Sequence, residues 1–294
     1  MSNTNENQSV AKTNINWYPG HMAKTKREIS ERLNLIDIVY EVVDARMPKS
    51  SKIKDIDDLI KNKKRIMIMT KSDLCDQKET KKFISYYESL GYRVVLLNLK
   101  DNSSLKFLYD LTKEIMKDEF ERRKQKGLIS ENIRVLVMGV PNVGKSTLIN
   151  KMVGKAKAGV GSKAGFTKQL SWIKVNQNIE LLDSPGILWP KFDNQEEAHI
   201  LASLSSIKEE VVNSFDISSF ILKKMFALYP KQLEERYGLT SVSDDLIEEF
   251  DIVAAKRGAL KKGGLVDYDK VCSIIIQDLQ NGRLGNVTFD RIEE

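Results

Sequence analysis

The run "VLVMGVPNVGKSTLIN", Val135 to Asn150, decides the fold. Gly139, Gly144, Lys145 and Ser146 satisfy G-x-x-x-x-G-K-S/T, with an apolar, β-rich "IRVLVMG" before them and the helix start "KSTLINKMVG" after. Glycines at these positions let backbone N–H groups turn inward around phosphate oxygens, and the helix N-terminus adds a favourable dipole. Asn142, Val143, Gly144, Lys145, Ser146 and Thr147 therefore form a candidate nucleotide cradle. Lys145 is the candidate to neutralise charge on the β- and γ-phosphates, and the Ser146 hydroxyl to ligate Mg²⁺. Strand, phosphate loop and helix together imply an α/β domain with a mostly parallel sheet. Such a loop usually follows the first strand of its domain, yet here it begins near the middle of the 294-residue chain. The residues before it need an explanation.

Downstream, "IELLDSPGI" is an apolar strand ending in Asp183 and followed by Gly186. A carboxylate at that strand end suits Mg²⁺ held through water, and the Gly186 N–H suits a γ-phosphate. Between these motifs lies the glycine-rich "GVGSKAGFTKQLSWIKV", where Thr167 offers a second hydroxyl to the metal. Reading guanine needs an acidic side chain that accepts from both N1–H and the exocyclic amine, usually within N/T-K-x-D after a strand. Nothing after Gly186 matches. Before the phosphate loop, "KRIMIMTKSDL" does, with Thr70, Lys71, Ser72 and Asp73 following an apolar run. A further strand, "YRVVLLNLK", ends in Asn98 and Leu99, where a second base-contacting loop is expected. The first half thus carries the base-reading loops of the same domain, in permuted order: base-reading loops, phosphate loop, hydroxyl-bearing segment, D-x-x-G.

These motifs, together with "NWYPGHMAKTKREI" (Asn16 to Ile29) and "VVDARMP" (Val42 to Pro48), resemble the circularly permuted GTPases, and among them the ribosome biogenesis GTPase A family. The resemblance runs from about Asn16 to the C-terminus, including "RGALKKGGLVDYDK" and "NGRLGNVTFD". It implies a GTP-hydrolysing assembly factor acting late on the large ribosomal subunit, stimulated by the maturing particle. Two positions depart from the family pattern: Thr70 stands where Asn is usual, and Leu99 where Ser or Ala is usual.

Ile187 occupies the position where a small GTPase carries the glutamine that orients water, so slow intrinsic turnover is expected. The resemblance offers His21, in the W-Y-P-G-H-M segment, as the substitute. An imidazole can orient or deprotonate water near neutral pH, and it can equally cap or pack the N-terminal helix. The other histidine, His199, reads as structural. Asn142 matches the asparagine that coordinates K⁺ in potassium-stimulated GTPases, and it also suits a turn-shaping role.

Residues 1–14 read as a disordered polar tail without a signal-peptide core. Residues 15–193 read as the permuted three-layer α/β/α GTPase domain, with a long helix over "DNSSLKFLYDLTKEIMKDEFERRKQKG" bridging its halves. Residues 194–294 read as a small all-helical domain. Lys256, Arg257, Lys261 and Lys262, at a glycine turn, are candidates for rRNA phosphate contact or a solvated helix end. No aromatic-interleaved RNA platform is evident along the chain. The formal charge of +6 is compatible with RNA binding. Two distant cysteines make neither a disulfide framework nor a zinc cluster. A cytoplasmic protein, monomeric off the ribosome and without a membrane anchor, is expected. A switch GTPase acting on a protein partner is the alternative.

Overall fold

All seven residues of β1 (Ile38–Asp44) are buried, the pattern of a strand covered on both faces in a parallel sheet. It lies inside a six-stranded sheet in the computed structural model, which describes residues 15, 20–54, 56–60, 63–101, 104–128, 132–154, 169–176, 178–189, 192 and 194–292. In chain order, α1 (Gly20–Arg32) precedes β1, which is followed by α2 (Ile56–Ile60), β2 (Lys64–Thr70), α3 (Gln77–Ser89) and β3 (Arg93–Leu96). Next come α4 (Ser104–Gln125), β4 (Ile133–Met138), α5 (Lys145–Val153), β5 (Ser171–Lys174) and β6 (Ile179–Asp183). The rest is α6 (Gln195–Ser203), α7 (Ser214–Leu228), α8 (Pro230–Tyr237), α9 (Ile247–Arg257) and α10 (Tyr268–Gln280). The expected polar tail, residues 1–14, lies outside the described residues.

The strand order is β3-β2-β1-β4-β6-β5, and every neighbouring pair is parallel except β5 with β6. The phosphate-loop strand β4 therefore lies beside β1, while β2 and β3 extend the sheet on the other side. Asp44 pairs in register with Thr70, and Val137 with Asp183. The loops after β1, β2, β4 and β6 consequently leave one edge, the position where open α/β sheets bind ligands.

The bridging helix forms as its pattern predicts. α4 buries Leu108, Leu111, Thr112 and Met116 on one face, and the Thr112 hydroxyl meets that of Tyr40 in β1 at 2.6 Å. Among the described residues four helices carry side-chain caps that satisfy orphan N–H groups: Asp76 on α3, Asn194 on α6, Asn213 on α7 and Asp267 on α10. The short edge strand β5 has no counterpart in the sequence reading. Only Ile173 in it is buried, too little alternation to stand out.

The C-terminal third is helical, with α10 packed against α7, α9 and α6, but it is not helical throughout. After α10 the chain runs extended, back to the base-reading half. Val287 N–H donates to Leu74 O at 3.1 Å and Phe289 N–H to Arg46 O at 2.7 Å. The Asp290 carboxylate accepts from Lys49 N–H, Ser50 N–H and the Ser50 hydroxyl at 2.6–2.8 Å.

Candidate nucleotide site

The phosphate loop turns at Gly144, whose φ of +100° lies in the left-handed region that side chains rarely adopt. A Cβ there would stand 3.4 Å from both Leu99 Cδ1 and Thr70 Oγ1. The base-reading loops and the phosphate loop are thus in contact. Thr70 is fully buried; its hydroxyl is hydrogen-bonded to Val143 O and lies 3.2 Å from Val43 O. It braces the phosphate loop from below, a role for which a hydroxyl serves as well as an amide. Leu99 packs against the core, and its carbonyl accepts from Lys151 Nζ at 2.7 Å.

Lys71 Nζ donates to Asn142 O at 2.7 Å and pairs with Asp44 Oδ2 at 2.8 Å. Asp44 also accepts from Arg46 Nε at 3.0 Å and Nη2 at 2.9 Å. Burial alone would raise the Asp44 pKa, but Arg46 and Lys71 together outweigh it and hold the carboxyl well below its ordinary range. Arg46 then reaches the last turn of α10, with Nη1 3.2 Å from Gln280 O. The opposite-signed helix terminus suits its charge. Neither Asp44 nor Arg46 was singled out from the sequence; a charged D-A-R directly after a buried strand is the signal that could have found them.

Asp73 and Asn98 lie in adjoining loops, linked through Lys100. Ser72 N–H donates to Leu97 O at 3.3 Å, Lys100 N–H to Asn98 Oδ1 at 2.9 Å, and Lys100 Nζ pairs with Asp73 Oδ2 at 2.7 Å. A carboxylate and an amide in adjoining loops offer the acceptors and donors that a guanine edge requires.

Lys145 is buried and donates to Gly139 O at 3.1 Å and Val140 O at 2.8 Å. Burial brings its pKa down to about 8, against the opposing pull of Asp183. Ser146 is in the first turn of α5, and Asp183 ends β6, where it is buried. Hydroxyl and carboxylate are hard oxygen donors of the kind Mg²⁺ takes, usually with phosphate and water completing the shell. Thr167 lies outside the described residues. Thr147 is exposed.

The D-x-x-G segment touches the phosphate loop. A Cβ on Gly186 would come within 2.6 Å of the Pro141 ring and 2.7 Å of its main-chain nitrogen. Ile187 N–H donates to Gly139 O at 3.1 Å, and its side chain is fully buried in the core. That position therefore cannot present a group to water. Leu188 N–H points to Met22 Sδ at 3.4 Å, which docks the first turn of α1 on the segment. His21 is in that turn; its side chain lies outside the described residues.

The helical region reaches the same loop. Asn142 Nδ2 donates to Ser205 O at 2.7 Å, and the Ser206 hydroxyl to Pro141 O at 2.8 Å. His199 is structural, with Nδ1 2.6 Å from Gln195 O and its ring against Phe220. Of the basic cluster, Lys256, Lys261 and Lys262 are exposed. Arg257 is withdrawn: it donates to Arg236 O at 2.6 Å and lies over the Tyr237 ring.

A family model described as "50S ribosome-binding GTPase" matches residues 134–242. The chain is similar to Ribosome biogenesis GTPase A of Bacillus cereus, 41% identical over 280 residues, covering 95% of both chains. It is also similar to Ribosome biogenesis GTPase A of Thermotoga maritima, 31% identical over 280 residues and again covering 95% of both. Among solved structures it resembles GDP-bound YlqF, with a TM-score of 0.64 and 28% identity over 91% of this chain and 100% of that one. GNP-bound YlqF from T. maritima gives a TM-score of 0.62 and 28% identity, covering 91% and 98%. Motifs, sheet order and whole-chain likeness agree: the chain belongs to the ribosome biogenesis GTPase A family.

Proposed function

We propose that this protein binds and hydrolyses GTP while assisting late maturation of the large ribosomal subunit. The observation that carries the reading is the contact between Lys71 of the base-reading loop and Asn142 of the phosphate loop, which makes the permuted halves one site. Asp73 is the residue for guanine N1–H and the exocyclic amine, with Asn98 and Leu99 lining the other side of the base. The N–H groups of residues 142–147 cradle the phosphates, Lys145 neutralises charge that develops during transfer, and Gly186 N–H meets the γ-phosphate. Ser146 and Asp183, joined by Thr167, are the residues that would hold Mg²⁺, which when bound screens the phosphate oxygens. Asn142 is the K⁺ candidate; its amide nitrogen is engaged by Ser205 O, and the amide oxygen is the end with cation-ligand chemistry.

With Ile187 buried, water must be oriented from elsewhere, and His21, next to Met22 on the D-x-x-G flank, is the residue we assign. Residues 194–294 form the unit through which the particle acts. Its corner at Ser205 and Ser206 holds Pro141 and Asn142, so a push on this unit is felt at the phosphate loop. Lys256, Lys261 and Lys262 are its rRNA contacts. Among the described residues no helix is long and apolar enough to cross a membrane, and a cytoplasmic monomer that joins the particle fits the reading. The test is GTP turnover in K⁺ and Mg²⁺, alone and with purified large or small subunits. Stimulation by the large subunit only is expected. Stimulation by neither would replace this reading with that of a switch acting on a protein partner.

A further inference from the structure

Away from the nucleotide crevice, α3, the loop after β1 and the C-terminal tail enclose a second cavity of about 530 Å³, within the usual size of a small-ligand site. None of the candidate nucleotide residues lines it. Among the described lining residues, four are cationic (Lys49, Lys52, Lys54 and Arg291), four are aromatic and none is acidic. The carboxylates that act on these cations, Asp290 beside Lys49 among them, stand outside the lining. Glu41 is 4.0 Å from Lys52, Glu197 is 2.7 Å from Lys54, and Glu79 is 3.8 Å from Arg291.

The aromatic wall is a connected set. Tyr87 meets Tyr86 at 5.3 Å and Tyr92 at 5.5 Å between ring centroids; Arg65 at 4.2 Å and Lys52 at 5.6 Å cover the Tyr92 ring, and Phe83 and Tyr87 are buried, so Tyr86 is the open face. Tyr87 is pinned by its hydroxyl on Pro48 O at 3.2 Å. Tyr86 is 44% exposed and neighbouring Leu90 56%, so flat apolar surface is open at the mouth. The tail holds the other wall in place through Asp290 on Lys49 and Ser50. Three segments build the constellation: residues 49–54 supply three of the cations, 83–92 all four aromatics, and 291–292 the tail wall.

Aromatic faces bordered by lysines are the chemistry of single-stranded nucleic-acid binding: any base can stack, and ammonium groups follow the backbone phosphates without demanding one geometry. We infer that this cavity takes an unpaired nucleotide of an RNA strand, its base on the Tyr86 side and its flanking phosphates on Lys49 and its neighbours. On the ribosomal reading above, that strand is rRNA of the maturing particle; the cavity's chemistry itself does not depend on that source.

The test uses the full chain bound to GDP, a fluorescein-labelled single-stranded oligouridylate, and 4-thiouridine crosslinking. Tyr86→Ala should weaken binding roughly 5- to 100-fold, whereas Tyr86→Phe stays within about twofold. Lys49→Gln should lower the log–log salt slope by about 0.7. Particle-free GTP turnover should be unchanged in all three, and crosslinks should fall on the peptide carrying Tyr86 and Tyr92. RNA bound equally by all variants, crosslinks confined to residues 256–262, or no RNA binding at all would overturn the inference. So would protection of Tyr86 by an acidic polyglutamate peptide that RNA does not displace, which would make the cavity a protein-docking site. Particle stimulation of turnover is scored separately, so failure of the ribosomal reading would leave Tyr86-dependent RNA binding standing, and the reverse.

Discussion

Lys71 and Asn142, 71 residues apart, both adopt left-handed backbone conformations, with φ of 59° and 60°, and are joined by a 2.7 Å hydrogen bond from Lys71 Nζ to Asn142 O. Each such non-glycine residue costs about 1–2 kcal/mol of local strain, and the surrounding contacts must outweigh it. Lys71→Met removes the bond and one of the two cations on Asp44. Guanine-nucleotide affinity should fall roughly ten- to a hundredfold, from about 1.5–3 kcal/mol for a charge-assisted bond. Titration calorimetry with GDP measures it.

Arg46 joins the base-reading half to α10 through Asp44 on one side and the Leu279 and Gln280 carbonyls on the other. Arg46→Ala leaves a buried carboxylate with a single cation and should cost about 3–5 kcal/mol in urea unfolding. The pH dependence has a definite sign. The Asp44 pKa is depressed in the folded state, so its contribution is present above the ordinary carboxylate pKa of about 3.9 and lost as pH falls towards the lower folded value. The variant should therefore unfold in acid at a higher pH than the wild type, as circular dichroism between pH 2 and 6 will report.

Gly186→Ala separates binding from hydrolysis. The new Cβ would meet Pro141 at 2.6 Å, below any normal contact, and would push the D-x-x-G segment off the phosphate loop. GDP affinity should stay within about threefold, since the proposed contacts to the base and the β-phosphate lie elsewhere, while turnover falls at least about tenfold. Equal losses in both would mean that the segment positions the whole nucleotide.

How much of this was legible in the sequence depends on the reach of each interaction. The phosphate loop, T-K-S-D and D-x-x-G are runs of a few residues beside apolar strands, so their chemistry is written locally. Their convergence followed from strand-end placement alone, because a parallel sheet sends all such loops to one edge. The reach of Arg46 to α10 was not legible, because its partner carbonyl at Leu279 is 233 residues away. Ser205 and Ser206 were missed likewise: nothing near them in the chain signals a contact with Pro141 and Asn142. The tail after α10 carries too few apolar residues in any period to announce that it docks on β1's loop. Arg257 looked equivalent to Lys256, and only the Tyr237 ring and Arg236 carbonyl distinguish them.

Lys145 predicts a proton inventory. Burial brings its pKa to about 8, and a diphosphate beside it favours the charged form. Binding GDP should then take up roughly half a proton at pH 8 and about 0.9 at pH 9, with almost none at pH 7. Calorimetry in buffers of different ionisation enthalpy reads this directly. No uptake at pH 8–9 would mean that Lys145 is already fully charged.

On the proposed function, a base-reading loop lying before the phosphate loop serves the same guanine-nucleotide site. The most direct measurement is the affinity of GDP and xanthosine diphosphate for the wild type and Asp73→Asn. An amide at residue 73 can no longer accept from both guanine donors, while it can donate to the xanthine carbonyl. The account predicts that GDP binding weakens at least about a hundredfold and that xanthosine diphosphate becomes the preferred ligand. Unchanged preference for GDP in Asp73→Asn would contradict it.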